Sequence, residues 1–327
     1  MIIYATFVTG LQEPVACWVT EEKHHVRQIL DGAVLYDARQ KKEPLPCFFN
    51  TFTVLETAKN QTVEQLMKKI LGKPIKYQRK RGSFRIVTSK ENQLISVDNK
   101  LRGSVEKMIS AQTGLIPDRR GGGREFWFLE RSEGLTLFME RHIQPVSRTN
   151  RLNSNRLNSG PSIIKKGELR PELAYSLNRL AEPTQDDVML DPFCGHGAIP
   201  RARAHFFPCK EIHGLDIKIN KKNLPHAINI RKADIKNIYS IFSPQSVDVI
   251  VTDPPWGHFN EKTDIPSLYE ELFKACEYLL KPNGRAVILT AQKDLFISKW
   301  SKKIQARYDI LVSGQKAAIF VIKASAN

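Results

Sequence analysis

The second half of this chain alternates short apolar runs with helical stretches, and this alternation limits its possible folds more than any other feature. The runs lie at 188–191, 211–216, 228–234, 247–253 and 285–290, and the clearest helical candidate between them is Ser267 to Leu280. Apolar runs separated by helices predict parallel strands joined by crossovers. The last two runs, YDILVSG and AAIFVIKA, meet at Gly314 and predict an antiparallel pair. We therefore expect an α/β fold with a doubly wound, Rossmann-like sheet closed by that pair.

A polar segment separates this half from the residues before it. Residues 147–165 contain RTNRLNSNRLNSG, in which NRLNS occurs twice, and this composition predicts a linker. Residues 1–55 combine strand-like YATFV and AVLYDA with a helical stretch around Val15 to Leu30. Residues 56–146 begin with an amphipathic helix that has Val63, Leu66, Met67 and Ile70 on one face, and continue with strands such as SFRIV and EFWFLE. We expect two small α/β domains, the linker, and a third domain at 166–327.

The charge is strongly positive and favours a polyanionic partner. The net charge is +16, of which +10 lies in residues 1–160. Seven basic residues and no acidic residue lie between Lys73 and Lys90, and Lys76, Arg79, Lys80 and Arg81 are the candidates for phosphate contacts. A solvated basic surface is the alternative interpretation.

The cysteines and the hydropathy exclude several classes of protein. The five cysteines are scattered and never form a C-x-x-C pair, which argues against a disulfide framework, a zinc ribbon or an iron–sulfur cluster. No apolar run approaches the roughly 18 residues of a membrane-spanning helix, and MIIYATFVTG is typical of a first strand rather than of a signal peptide. We expect a cytoplasmic protein without a membrane segment or a bound metal.

The sequence DPFCGHGA, starting at Asp191, follows the first apolar run of the second half. Gly195 and Gly197 permit a tight turn from strand to helix and a close approach of the backbone to a ligand, which predicts a nucleotide-like cofactor. Asp216 ends the next run, 25 residues on, where a carboxylate would accept both hydroxyls of a ribose. Asp234 ends the third run and is placed for an adenine amino group, although such residues often cap the next helix.

The fourth run ends in DPPWG, the most informative stretch of the chain. Pro254 and Pro255 lack backbone donors, so the carbonyls of this segment are left without ladder partners. Asp253 and the Pro254 carbonyl would accept the two N–H bonds of a base amino group while Trp256 stacks on the base ring. Accepting both hydrogens localises the nitrogen lone pair for attack on an electrophilic methyl group. A strand terminus with a core tryptophan is the alternative.

Taken together, DPFCGHGA, GLD, KAD and DPPWG resemble the class I S-adenosylmethionine-dependent methyltransferases that modify amino nitrogens of nucleic-acid bases. The resemblance covers about residues 160–327 and implies S-adenosylmethionine as the cofactor. It implies that the methionine end is surrounded by Asp191, Phe193, Gly195 and Gly197, the ribose by Asp216, the adenine by Asp234, and the target base by Asp253, Pro254, Pro255 and Trp256. His196 departs from the family, which more often has Ser or Thr there.

The first half resembles the N-terminal ferredoxin-like and THUMP domains of tRNA methyltransferases, through TGLQEPVA, LDGAVLY, SFRIV, VEKMIS and GLTLFMERH. With DPPWG, this implies a tRNA guanine-N2 methyltransferase that acts on the acceptor stem. Arg119, Arg120 and Arg124, around the glycine run, would then meet phosphates, although arginines beside a solvated turn are equally consistent with the sequence. A DNA or rRNA amino-methyltransferase and a non-catalytic RNA-binding adaptor remain the alternatives.

Overall fold

The computed structural model describes residues 1–39, 43–75, 77, 81–121, 123–142, 169–218, 225, 227–257, 264–312 and 314–324. They form two compact units. Unit 1 comprises Met1–Phe7 and Gln12–Pro145, and unit 2 comprises Val8–Leu11 and Val146–Asn327. The expected linker at 147–165 lies outside the described residues.

The described residues of unit 1 form one mixed sheet and three helices. Its elements are β1 (Ile2–Thr6), α1 (Gln12–Glu21), β2 (His25–Leu30), β3 (Ala33–Asp37), β4 (Asn50–Lys59), α2 (Val63–Ile70), β5 (Ser83–Lys90), β6 (Gln93–Leu94), α3 (Asn99–Thr113), β7 (Ile116–Pro117), β8 (Arg124–Glu130) and β9 (Leu135–Arg141). The strand order is β2-β3-β1-β4-β9-β8-β5-β6, and β7 pairs with β5. Strands from both expected N-terminal domains therefore share one sheet, and the boundary near residue 56 stays a prediction.

Local sequence explains the helices of unit 1. Thr62 and Gln65 form a capping box at the start of α2, and the four apolar residues expected on one face of this helix are all buried. Asp98 caps α3, and Gly114 ends it with a φ of 77°.

The helix expected around Val15 to Leu30 is wrong in its second half. Helix α1 ends at Glu21, Lys23 takes a φ of 62°, and His25–Leu30 forms β2. Pairing of β2 with β3 satisfies the backbone of this stretch and decides its structure over the local pattern.

Unit 2 has the expected doubly wound sheet. Its elements are α4 (Pro171–Leu180), β10 (Val188–Asp191), α5 (Ala198–Phe206), β11 (Glu211–Asp216), β12 (Ile228–Lys232), a 3₁₀ helix (Ile235–Ser240), β13 (Val247–Thr252), α6 (Ile265–Leu279), β14 (Leu280–Thr290), α7 (Lys293–Trp300), β15 (Ile304–Val312) and β16 (Gln315–Lys323). The order is β12-β11-β10-β13-β14-β16-β15. Strands β10 to β14 pair in parallel, whereas β16 runs antiparallel to both β14 and β15. The expected fold class is thus confirmed.

The core of unit 2 supports the edge of the sheet where ligands bind. Apolar residues of β13, β14 and β16 pack with the buried side of α6, and Phe273, Phe296, Trp300 and Phe320 form a continuous aromatic cluster.

The strand order reverses at β10, which lies between β11 and β13. In open α/β sheets the crevice at such a switch point binds the ligand. In the parts of the chain that the structure describes, no helix is both long and apolar enough to cross a membrane.

Candidate active site

Three acidic residues lie at the carboxyl ends of neighbouring parallel strands. Asp191 ends β10, Asp216 ends β11, and Asp253 follows β13 directly. Because these strands are adjacent and parallel, their ends meet at the switch point. The sheet therefore brings together residues that are far apart in the sequence.

Asp191 is an internal support of the site. Its side chain is 1% exposed, and Oδ1 accepts hydrogen bonds from the Phe193 N–H (3.2 Å) and the Thr252 hydroxyl (2.7 Å). Burial raises the pKa of Asp191 to about 7, and the nearby charge of Asp216 adds to this effect. These bonds fix the loop after β10 to the end of β13.

The glycine loop closes onto the end of β11. The Gly195 N–H donates to Asp216 Oδ2 at 2.9 Å, and Gly197 begins α5 with a φ of 80°. Gly195 has a φ of 49°, and a Cβ built there would meet no described atom within 4 Å. The backbone thus takes a conformation that favours glycine, with open space beside it for a ligand.

Asp216 and its neighbour present a polar and an apolar group side by side. Asp216 Oδ1 also accepts the Lys218 N–H at 2.7 Å, which fixes the direction of the carboxylate. Ile217 is 55% exposed, so its apolar side chain is open to a ligand beside the carboxylate. Ile217 is not among the residues expected from the sequence, where the available signal was an apolar residue directly after a strand-end carboxylate.

Asp234 takes the capping role that was its alternative interpretation. It is exposed, and its Oδ1 accepts the Lys236 N–H at 3.0 Å at the start of the 3₁₀ helix. A hydrogen bond from Asp234 to an adenine stays a prediction.

The DPPW segment places a carboxylate against an indole. Asp253 Oδ1 accepts a hydrogen bond from Trp256 Nε1 at 2.9 Å. Burial raises the pKa of Asp253 to about 8, with a further contribution from the charge of Asp191. Pro254 is buried and Pro255 exposed, while Trp256 is only partly buried. The indole is therefore accessible from solvent on part of its surface.

Three polar residues behind this segment were missed by the sequence analysis. Gln292 Nε2 donates to the Trp256 carbonyl at 2.7 Å, and the Gln292 N–H donates to the Thr290 hydroxyl at 2.9 Å. The Thr290 hydroxyl lies 2.6 Å from the Tyr269 hydroxyl. Thr290 ends β14, the fifth apolar run of the second half. The available signal in the sequence was therefore a hydroxyl residue at the end of that run.

The basic residues expected to contact RNA belong to unit 1. Lys76, Arg79 and Lys80 lie outside the described residues, and Arg81 and Arg120 are exposed.

Two of the expected RNA-binding arginines are held in ion pairs. Both Arg119 Nε and Nη2 contact the Glu106 carboxylate, at 3.0 and 2.8 Å, and Arg124 Nη1 lies 2.5 Å from Glu140. These pairs neutralise part of the charge that the sequence analysis assigned to phosphate binding. Among the described residues there is no group of three or more metal-ligating side chains.

Solved structures share this fold along almost the whole chain. TrmN from Thermus thermophilus superposes with a TM-score of 0.74 at 19% sequence identity, covering 98% of this chain and 99% of that one. The SMU.472 methyltransferase, complexed with SAH, has a TM-score of 0.68 at 14% identity and covers 100% and 98%. The fold is that of the Rossmann-like methyltransferases.

Sequence comparisons show to which family of methyltransferases the chain belongs. The UPF0020 family model, described as RMKL-like, methyltransferase domain, matches residues 162–207 and 210–315. A relative from Methanothermococcus thermolithotrophicus named probable tRNA (guanine(10)-N2)-dimethyltransferase is 33% identical over 37% of this chain and 81% of its own length. This chain belongs to the tRNA guanine-N2 methyltransferase family.

Other relatives match with lower coverage of their own length. The tRNA (guanine(6)-N(2))-methyltransferase THUMP3 of Mus musculus is 30% identical over 48% of this chain, and the tRNA (guanine(6)-N2)-methyltransferase of Thermus thermophilus is 25% identical over 65%. The chain spans 36% of the length of the former and 64% of the latter.

Proposed function

We propose that this chain transfers a methyl group from S-adenosylmethionine to the exocyclic 2-amino nitrogen of a guanine in tRNA. The observation that carries the proposal is the DPPW segment at the switch point, where the Asp253 carboxylate and the Trp256 indole lie in hydrogen-bond contact. A carboxylate beside an accessible aromatic face suits a planar base that carries an amino group.

The residues of the glycine loop fit the cofactor. Positive φ angles at Gly195 and Gly197 and the open space beside Gly195 leave room for a ligand against the backbone. Asp216 would accept the ribose hydroxyls, and the exposed Ile217 would pack on the adenine ring. When bound, S-adenosylmethionine supplies an electrophilic methyl group.

The chain's own groups then prepare the amino nitrogen. Asp253 Oδ1 is engaged by the indole, so Oδ2 and the Pro254 carbonyl would accept the two N–H bonds of the base. This localises the nitrogen lone pair, which forms the new N–C bond as the S–C bond breaks with its electrons remaining on sulfur. The nitrogen then loses one proton to the Asp253 carboxylate and becomes a neutral secondary amine.

The choice of tRNA rests on the relatives and on the basic first half. The relatives named for guanine 6 support the acceptor stem as the target. We infer that unit 1 contains the ferredoxin-like and THUMP domains and binds tRNA through the basic run around Arg79 to Arg81, because Lys and Arg side chains contact phosphates without reading sequence.

The five free cysteines fit a reducing cytoplasm.

Guanine 10 is the second candidate target. The observation that favours it is the 33% identity to the Methanothermococcus relative, which is named for dimethylation at that position.

The test is methyl transfer in vitro from labelled S-adenosylmethionine to bulk tRNA, rRNA and DNA, followed by mass spectrometry of nucleosides. We expect N2-methylguanosine in tRNA, and mapping the modified position separates guanine 6 from guanine 10. Label in DNA or rRNA with none in tRNA would overturn the substrate, and cofactor binding without transfer to any of the three would favour the adaptor.

A further inference from the structure

Two residues of the DPPW segment have no backbone donor. Pro254 and Pro255 have no backbone N–H, so these residues cannot donate to the neighbouring strands. The indole N–H of Trp256 is used by Asp253, and Gly257 turns the chain with a φ of 94°. Among the described residues, a donor from another element contacts the Trp256 carbonyl.

Gln292 supplies that donor from the end of the adjacent strand. Its side-chain amide donates to the Trp256 carbonyl at 2.7 Å, across 36 residues of sequence. Gln292 is the residue before α7, and its own N–H is bonded to the Thr290 hydroxyl at 2.9 Å. The donor thus stands on the rigid end of β14.

The support behind Gln292 is buried. Thr290 and Tyr269 are both 0% exposed, and their hydroxyls are 2.6 Å apart. Burial raises the pKa of Tyr269, and the hydrogen bond with Thr290 opposes this in part.

We propose that Gln292 is a positioning residue for methyl transfer. By holding the Trp256 carbonyl, it keeps the indole N–H on Asp253 and presents the indole face in one orientation to the target base. The inference rests on the proposed function, in which Trp256 stacks on the base and Asp253 accepts its amino group.

Two substitutions distinguish the effect of the Gln292 N–H donor from the effect of its side-chain volume. Gln292→Met keeps a similar length and removes the donor. Gln292→Glu also removes it when ionised, but the protonated carboxyl regains an O–H that can donate to the Trp256 carbonyl. Gln305→Met, at an exposed position on β15 of the same unit, is the matched control.

The first measurement needs no substrate. Hydrogen exchange of the Trp256 indole N–H, with its NMR resonance assigned from Trp256→Phe, is expected to become about tenfold faster in Gln292→Met and to stay unchanged in Gln305→Met. Exchange at the wild-type rate in Gln292→Met would overturn the proposal. The exchange measurement still tests the role of Gln292 if the wild-type protein transfers no methyl group to tRNA. That result would instead refute the proposed function.

The second measurement is the single-turnover rate of methylation at saturating tRNA. We expect a loss of about tenfold in Gln292→Met with unchanged cofactor affinity, because a misaligned base reacts more slowly at the same occupancy. The rate of Gln292→Glu divided by the wild-type rate should rise as the pH falls, whereas the same ratio for Gln292→Met should stay constant. A Glu ratio that does not change with pH would show that Gln292 only fills space.

Discussion

At the residue scale, the site depends on two carboxylates whose surroundings oppose ionisation. Asp191 and Asp253 lie on neighbouring strand ends, and burial is the main cause of the raised pKa of each. Their roles differ because Asp191 is enclosed by Phe193 and Thr252, whereas Asp253 lies beside the accessible indole. Shifted pKa values of this kind are concentrated at functional sites.

The raised pKa of Asp253 predicts a pH-dependent rate. The carboxylate accepts the base amino group only when ionised, because a protonated carboxyl would direct its O–H toward the N–H groups. We expect kcat/KM for tRNA methylation to rise with pH and to level off above about 8, the pKa of Asp253. Rates measured between pH 6 and 9 test this, with cofactor affinity over the same range as the control. A flat profile would contradict it.

The raised pKa of Asp253 also predicts that its ionisation, which the reaction needs, lowers the stability of the folded protein. The folded-state pKa of Asp253, about 8, lies above the unfolded value of about 4, so the folded protein binds more protons between these values. Its contribution to the free energy of unfolding therefore falls as the pH rises from about 4 to 8. Asp253→Asn cannot ionise, so we expect it to be more stable than wild type at pH 8, by up to about 5 kcal/mol for a shift of about four pKa units, and about equally stable near pH 4.

Denaturant unfolding at several pH values measures this difference, and methylation should fall at least about a hundredfold in the same variant. Stability that differs from wild type by the same amount at both ends of the pH range would rule out titration of Asp253 as the cause.

At the element scale, one buried arginine joins three turns of the unit 1 sheet. Arg131 Nη1 lies 3.0 Å from Glu91, and Nη2 lies 2.8 Å from both Glu133 and the Asp31 carbonyl. Asp31 belongs to the β2–β3 turn, Glu91 to the β5–β6 turn and Glu133 to the β8–β9 turn. The contacts connect the strands of residues 1–55 to those of residues 56–146.

Arg131→Met is expected to destabilise unit 1 by roughly 1–3 kcal/mol, because a buried guanidinium loses its ion pairs with two partly exposed carboxylates and its bond to the Asp31 carbonyl. Amide hydrogen exchange should become faster in the three turns together. Arg27→Met, which removes an exposed ion pair with Asp37, is the control and should destabilise unit 1 much less. Faster exchange in the β8–β9 turn alone would show that the arginine does not couple these turns.

At the scale of the whole molecule, the excess of positive charge predicts salt-dependent binding of tRNA. Reversing Arg79, Lys80 and Arg81 to Glu should weaken tRNA binding and lower the slope of log affinity against log salt by roughly 0.9 for each phosphate that the variant no longer neutralises. Cofactor affinity should not change.

The ion-paired Arg119 provides the contrast in that experiment. Because Glu106 already neutralises its guanidinium, Arg119→Gln should leave the salt slope almost unchanged. An equal decrease of slope per charge in both variants would show that the ion pair opens to meet a phosphate, and an unaltered slope in the triple variant would show that the basic run is only a solvated face.

Local pattern was sufficient for much of the fold. Periodic apolar runs predicted the strands of unit 2, and the amphipathic face of α2 was predicted correctly from Val63 to Ile70, because a segment's own side chains decide which face it buries. The helix expected up to Leu30 failed because pairing of β2 with β3 is a contact between segments.

By itself the sequence determined the order of the strands in unit 2, the two glycines that need left-handed backbone, and the acidic residues at the strand ends, since each depends on neighbours in the chain. Only the tertiary structure decided that Gln292 and Thr290 support Trp256, and that Glu106 and Glu140 neutralise arginines expected to bind RNA. These contacts arise from adjacency of β13 and β14, and from sheet and helix packing in unit 1. Hydrogen bonds and ion pairs act over about 3 Å, so they depend on how strands are arranged in space and leave no periodic trace in the sequence.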